Sequence, residues 1–182
     1  RLFLFGTGHD AAPVAQLARQ VGWDVVVCTS HPKFSTRERF AHADEVLIGT
    51  PEELAARIAD SDRAVAVVMN HDLERDRESL GILLQTRINY VGMLGPRTRT
   101  RRMLRELAID DEDPRVHAPV GLAIGAETPQ EIALAIVAEL QAVLTQTTAA
   151  NVGEPIEAHP RHERIFVGAG TTAAAAAAAP AL

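Results

Sequence analysis

The amino-acid sequence predicts a doubly wound α/β domain, in which helices cover both faces of a parallel sheet. Two observations lead to this prediction. Short apolar runs typical of buried strands alternate along the chain with longer stretches of helical periodicity. The first apolar run leads into a glycine-containing turn and then into a helix, as a strand of a parallel sheet does before its crossover. We therefore expect parallel strands joined by right-handed crossovers.

The first strand, 2–5, and the first helix, 11–21, are joined by a turn with two glycines. In a dinucleotide-binding turn of this spacing, Gly6 lets the chain turn sharply, Gly8 leaves room for a phosphate, and Ala11 lets the helix pack closely. The free N–H groups and the dipole of the helix favour an anion at this end. Turns of this kind also occur without a ligand, and that alternative stays open.

Four further strands and four further helices follow in alternation. Two helices begin with a capping pattern, a threonine followed three residues later by a glutamate, at Thr50 and Thr128. The predicted strands are 23–28, 45–48, 64–69 and 89–94, and the predicted helices are 51–59, 73–85, 98–107 and 128–144.

The remaining segments are predicted to be irregular. Residues 110–114 form an acidic, solvated loop, and 117–125 form an apolar loop rich in glycine and proline that is held against the core. The domain is expected to end at residue 145, with an irregular tail over 146–182. An extra strand over 165–167 is an alternative for part of that tail.

Composition narrows the class of protein. The chain has 182 residues, 47% of them hydrophobic, and a net charge of -6, which argues against general nucleic-acid binding. No apolar run is long enough to span a membrane. The single cysteine, Cys28, excludes an internal disulfide and fits a reducing cytoplasm. Because the chain begins within a strand and without methionine, we expect upstream residues to have been removed.

Polar residues follow the fourth and fifth strands, at the edge where the glycine turn lies. Asn70-His71-Asp72 follows the fourth strand, and Gly95, Arg97 and Arg99 follow the fifth. Strand ends in such a sheet converge on one crevice, so these groups predict an anion pocket in which Arg97 is the best phosphate contact. Asp72 has a second interpretation, since it lies where it could cap the next helix.

Two other kinds of site are open from the residues alone. His9, His71 and His117 could form a metal site with Asp72, as in a metal-dependent hydrolase, although histidines in such positions more often only donate hydrogen bonds. A nicotinamide cofactor could also use the glycine turn. The end of the second strand, however, carries Thr29 where an NAD-binding domain has an acid.

Several of these stretches together resemble the C-terminal Rossmann-like domain of the XdhC/CoxI family. The resemblance runs in order from about residue 1 to 144. It rests on the stretches Phe5-Gly6-Thr7-Gly8-His9, Arg39-Phe40-x-x-Ala43-Asp44, Asn70-His71-Asp72, Tyr90-Val91-Gly92-Met93-Leu94-Gly95-Pro96-Arg97, and His117 to Ala133. The chain departs from the family pattern at Thr29, His31 and Ala123.

The resemblance implies an accessory protein for xanthine dehydrogenase and related molybdenum hydroxylases, with no catalytic residue and no metal ligand of its own. Such a protein binds molybdenum cofactor, protects it while a sulfur donor such as a cysteine desulfurase installs a terminal sulfur, and hands it to the enzyme. An NAD(P)-dependent oxidoreductase is the alternative. A homodimer is suggested by the family, and neither nucleic acid nor membrane is an expected partner. The expected cofactor-binding residues are Gly6, Thr7, Gly8, His9, Ala11, Asn70, His71, Asp72, Gly95, Arg97, His117 and Gly121.

Overall fold

Six strands form one parallel sheet in the computed structural model, which describes residues 1–30, 37–59, 64–147 and 149. The order across the sheet is β3-β2-β1-β4-β5-β6, and every neighbouring pair is parallel. The strands are β1 (Leu2–Phe5), β2 (Val25–Thr29), β3 (Glu45–Ile48), β4 (Val65–Val68), β5 (Val91–Met93) and β6 (Val116–His117).

Five helices cover the two faces of the sheet. They are α1 (Ala11–Gln20), α2 (Pro51–Ala59), α3 (Leu73–Gln85), α4 (Arg97–Glu106) and α5 (Pro129–Thr145). Successive residues of β1 point to opposite faces: Leu2 and Leu4 pack in the cluster with α1 and α5, whereas Phe3 and Phe5 pack in the cluster with α2, α3 and α4. The sheet is therefore buried on both sides, which confirms the predicted doubly wound class.

The strand order reverses between β1 and β4, so the chain leaves these two strands toward opposite faces. Gly6 follows β1 with a positive φ of +137°, which residues with a side chain rarely adopt, and a Cβ there would lie 2.4 Å from the carbonyl oxygen of Met69. Only glycine allows the two strand ends to lie this close. The switch point, where open sheets bind their ligands, is formed by these strand ends.

The helix starts follow the predicted capping patterns. Thr128 accepts from the N–H of Glu131, whose carboxylate accepts in return from the N–H of Thr128. Thr50 and Glu53 make the same pair of bonds before α2. For the five predicted strands and five predicted helices, no observed end lies more than two residues from the predicted one.

The strand β6 is not expected from the sequence. Residues 117–125 are predicted to be an apolar loop, but Val116 and His117 pair with Val91 and Gly92 and extend the sheet by one strand. A two-residue strand that contains a histidine and precedes Ala118-Pro119 has no recognisable β pattern. The alternative strand over 165–167 and the predicted tail beyond residue 149 lie outside the described residues.

Among the described residues, none of the helices has both the length and the apolar character needed to cross a membrane.

Candidate functional site

The glycine turn after β1 is packed against the chain that follows β4. A Cβ on Gly8 would lie 2.6 Å from Oδ1 of Asp10 and 3.2 Å from Nε2 of His71. The space that a phosphate would use beside Gly8 is therefore bordered by a carboxylate and an imidazole of the protein.

Asp10 and His71 are hydrogen-bonded to each other at this turn. Oδ2 of Asp10 lies 2.8 Å from Nε2 of His71, and 55% of the His71 side chain is exposed against 12% of that of Asp10. His71 adopts a left-handed backbone with φ +59°, which is uncommon for a residue with a side chain. Oδ1 of Asp10 is buried and has no hydrogen-bond partner among the described residues. The carboxyl group of Asp10 thus lies at the turn that is predicted to receive an anion.

A buried carboxylate on α3, Asp76, connects the ends of β4 and β5. Oδ1 of Asp76 accepts from the backbone N–H and from Nδ2 of Asn70, at 3.0 and 3.1 Å, and Oδ2 accepts from Nη2 of Arg99 at 2.7 Å. Burial raises the pKa of this carboxyl above its ordinary value, although the bonds from Asn70 and the charge of Arg99 act to lower it. The network holds Asn70 and α4 in place at the switch point.

Sequence reasoning missed Asp76, although the sequence carried a signal for it. Asp76 lies three residues after Leu73 and four before Leu80, so it shares the apolar face of α3. An acid on the apolar face of a helix needs a buried partner, and Arg99 is that partner. Asp72 has the second role considered from the sequence, that of a helix cap. Its carboxylate accepts a hydrogen bond from the N–H of Arg75 at 3.0 Å, at the start of α3.

A second candidate region lies along β6, and we call it the β6 pocket. Its volume is about 420 Å³. It is lined by Arg97 and Arg101 of α4, Glu112 in the turn before β6, His117 of β6 and Glu139 of α5, among other residues. The fold therefore brings together two of the predicted site residues, Arg97 and His117.

His117 is held by α5 and by an aromatic ring. Its Nδ1 lies 2.8 Å from Oε1 of Glu139, and its ring stacks on Tyr90 with centroids 4.2 Å apart. The other carboxylate oxygen of Glu139 accepts from the backbone N–H of Gly121. Burial alone would raise the pKa of Glu139, but the hydrogen bonds from His117 and Gly121 lower it below its ordinary value. Gly121 thus supports the pocket through its main chain.

Tyr90 contributes a buried hydroxyl to the same cluster. Its ring lies over Gly92, where a Cβ would come 3.1 Å from Cε1 of the ring. The hydroxyl is buried near Glu139 but makes no hydrogen bond of ordinary geometry within the described part of the chain. Burial, reinforced by the charge of Glu139, raises the pKa of Tyr90 above its ordinary value.

The predicted site residues are thus divided between two regions. Gly6, Gly8, Asn70 and His71 meet at the glycine turn, whereas Arg97 and His117 line the β6 pocket. Arg99 is connected to the end of β4 through Asp76, which bonds both Arg99 and Asn70. The side chain of Arg97 is 62% exposed, and its guanidinium lies 4.0 Å from Glu112.

Three other predicted site residues, Thr7, His9 and Ala11, lie in the turn or at the start of α1 and make no side-chain hydrogen bond in the described region. His9 is exposed, Thr7 is half-buried, and Ala11 is fully buried against the core. Gly95 follows β5 with φ +115°. In the part of the chain described, no three His, Cys, Asp or Glu side chains gather closely enough to hold a metal ion. The histidines proposed above as metal ligands therefore have no common site there.

Two further hollows are less suited to a cofactor. The crevice at the end of β2, beside Thr29 and Asn70, has a volume of about 20 Å³ as lined by the described residues, about the space of one water molecule. A larger hollow of about 700 Å³ involves Trp23, Ala64 and Asn89. These residues precede β2, β4 and β5, and ligands of open α/β sheets bind at the opposite, carboxyl edge.

Comparison with known proteins agrees with this architecture. Residues 2–140 match the family model described as the XdhC Rossmann domain. A Bacillus subtilis (strain 168) protein, named as a probable xanthine dehydrogenase component, is 37% identical over 142 residues, which are 77% of this chain and 42% of that protein. The Escherichia coli (strain K12) "Uncharacterized protein YqeB" is 34% identical over 185 residues, covering 97% of this chain and 33% of that protein.

A solved structure is also similar to this chain in both fold and sequence. The crystal structure of a protein described as a xanthine dehydrogenase from Bacillus halodurans superimposes with a TM-score of 0.73 at 34% identity, over 80% of this chain and 44% of the other. The chain thus spans less than half the length of each of these relatives. Since the family model covers most of the chain, including all six strands, this protein belongs to the XdhC family through its Rossmann domain.

Proposed function

We propose that this chain is part of an accessory protein that binds molybdenum cofactor and delivers it to a xanthine dehydrogenase-type molybdenum hydroxylase. The observation that carries the proposal is the β6 pocket, which gathers Arg97 and His117 in a cavity of about 420 Å³. Cavities of this size suit small molecules. The names of the Bacillus relatives support the choice of client enzyme.

The residues of the glycine turn and of the β6 pocket fit the chemical groups of this cofactor. The cofactor has a pterin with several polar N–H and carbonyl groups and a terminal phosphate. Guanidinium groups suit the phosphate, and the Asp10–His71 pair offers polar atoms to the pterin. Neighbouring strands are about 4.8 Å apart, so β1 and β6, three steps apart in the sheet, are separated by about 14 Å.

In this proposal the chain is a carrier. When bound, the cofactor supplies a molybdenum centre whose redox chemistry takes place in the client enzyme. The residues of the chain bind and orient the cofactor and shield it while a sulfur donor, such as a cysteine desulfurase, provides the terminal sulfur. The pairs His117–Glu139 and Asp10–His71 hold the polar walls of the site in fixed positions.

The test is retention of the cofactor by the purified chain. Protein is incubated with molybdenum cofactor released from a molybdoenzyme and passed over a gel-filtration column, and bound molybdenum and pterin are measured. Arg97→Ala should lower affinity by about tenfold, the effect of losing one charge-assisted hydrogen bond. Arg102→Ala is the matched control, because Arg102 is exposed on the same helix and pairs with Glu106. A native chain that retains no cofactor contradicts the proposal.

An NAD(P)-dependent oxidoreductase is the competing function. Thr29 in place of an acid and the narrow crevice beside it weigh against that function. Titration with NADH and NADPH, followed by fluorescence, separates the two. Tight binding of either nucleotide together with turnover would replace the carrier proposal.

A further inference from the structure

The β6 pocket contains a pair of guanidinium groups that share one carboxylate of the protein itself. Nη2 of Arg101 lies 2.6 Å from Oε1 of Glu112, and Nη2 of Arg97 lies 4.0 Å from the same oxygen. All three side chains line the pocket. A carboxylate thus occupies the position in which two cations could receive an anionic ligand.

Glu112 uses only part of the binding capacity of Arg101. The Nε–H of Arg101 is buried and has no hydrogen-bond partner among the described residues, while Nη2 is bonded to Glu112. Nε and Nη2 of an arginine form the fork that binds two oxygens of one phosphate or carboxylate. Because Nε is closed to solvent in this conformation, a ligand with two suitably spaced oxygens would engage both donors only after Glu112 has moved away.

Glu112 is also a weak competitor for this position. Its side chain is 66% exposed and lies in a short turn, and exposed ion pairs of this kind contribute little to stability. The other acidic groups around the pocket are engaged with partners of their own. These pairs are Asp111 with Arg105, Asp113 with Arg115, and Glu139 with His117.

We propose that the β6 pocket receives the terminal phosphate of a phosphomonoester, and that Glu112 occupies the site when the ligand is absent. The inference rests on the proposed function for the identity of the ligand. It assigns the phosphate end of molybdenum cofactor to Arg97 and Arg101 and not to the glycine turn, where the guanidinium of Arg99 is already bonded to the buried carboxylate of Asp76. The phosphate displaces Glu112 without any change in covalent bonds.

The direct test is a calorimetric titration of the full chain with glycerol phosphate and with inorganic phosphate. Arg101→Ala should weaken binding of glycerol phosphate by about tenfold or more, and Arg101→Lys should also weaken it, because lysine keeps the charge but lacks the fork. Glu112→Gln removes the competing charge and should tighten binding severalfold.

Arg102→Ala serves as the matched control and should leave the affinity for glycerol phosphate unchanged. Circular dichroism and thermal melting of each variant verify folding. Native affinity in both Arg101 variants, or weaker binding by Glu112→Gln, overturns the inference. Phosphate binding that responds equally to Arg101→Ala and Arg102→Ala would show general attraction to a basic helix and also overturns it.

Retention of molybdenum cofactor by the same variants separates this inference from the proposed function. If the native chain retains the cofactor and Arg101→Ala does not, both stand. If retention survives Arg101→Ala but is lost in His71→Ala, the carrier function stands and the phosphate assignment fails. If the native chain binds glycerol phosphate as expected but retains no cofactor, the pocket stands and the carrier function fails.

Discussion

The glycine turn and the β6 pocket lie on the same sheet but differ in how their charged groups are satisfied. At the turn, both carboxylate oxygens of Asp76 are bonded, to Asn70 and Arg99, whereas Asp10 is paired with His71 through one oxygen and its other oxygen has no partner among the described residues. At the β6 pocket the ion pairs of Glu112 are exposed, and one donor of Arg101 has no partner in the described part of the chain. Close packing is thus enough to explain why Gly6 is a glycine. The unpartnered N–H donor of Arg101 lies instead on a helix that shows no binding motif in the sequence.

The largest effect is expected from Gly6→Ala. The new Cβ would meet the backbone of Met69 at 2.4 Å and would sit at φ +137°, so we expect a loss of more than about 4 kcal/mol in the free energy of unfolding. Gly22→Ala is the matched control, since Gly22 also has a positive φ, +90°, but has no neighbour within 4 Å of a Cβ. It should cost about 1 kcal/mol. Equal losses in the two variants would show that close packing does not explain the glycine turn.

The next effect concerns the buried ion pair behind the turn. Asp76→Ala leaves Arg99 and the N–H of Asn70 without their acceptor, and it should cost about 3 to 5 kcal/mol in urea unfolding. Glu74→Ala, an exposed carboxylate on the same helix, should change stability by less than about 1 kcal/mol. A small loss in Asp76→Ala would mean that the pair does not hold the two strand ends.

The two regions should also respond to pH with opposite sign. Glu139 has a pKa below its ordinary value of 4.5, so its stabilising contribution is present above pH 4.5 and is lost as the pH falls through the folded-state pKa. Asp76 has a pKa above its ordinary value of 3.8. Asp76 therefore binds its proton more tightly in the folded chain than in the unfolded chain. Its contribution to the free energy of unfolding falls as the pH rises from 3.8 through the folded-state pKa.

The prediction is checked by urea unfolding of the native chain and of the variants Glu139→Gln and Asp76→Asn, at pH values on both sides of the two carboxyl pKa values. The stability difference between the native chain and Glu139→Gln should grow as the pH rises, and the difference for Asp76→Asn should shrink. Differences that change in the same direction would contradict the assigned pKa shifts.

The smallest effect is expected from Tyr90→Phe. The hydroxyl is buried without an ordinary hydrogen bond in the described region, so its removal should change the free energy of unfolding by no more than about 0.5 kcal/mol. Tyr90→Ala removes the ring that stacks on His117 and should cost about 3 to 5 kcal/mol. A large loss in Tyr90→Phe would indicate a strong bond between the hydroxyl and Glu139.

The sequence was sufficient for β1 to β5 and for the five described helices, because periodicity and capping are local signals. The run Leu2–Phe5 and the capping box at Thr128 each fix an element without knowledge of its neighbours. The sites depend on contacts between distant residues. Nothing local shows that Asp10 turns back toward Gly8, that Arg99 and not Arg97 reaches Asp76, or that a two-residue strand places His117 beside Glu139.

The sharpest test of phosphate binding at the β6 pocket is to map backbone amide shifts by NMR during titration with glycerol phosphate. We expect the largest shifts at Arg97, Arg101, Glu112 and His117. Shifts concentrated instead at Gly8, His9 and His71 would refute the assignment, since they would place the anion at the glycine turn.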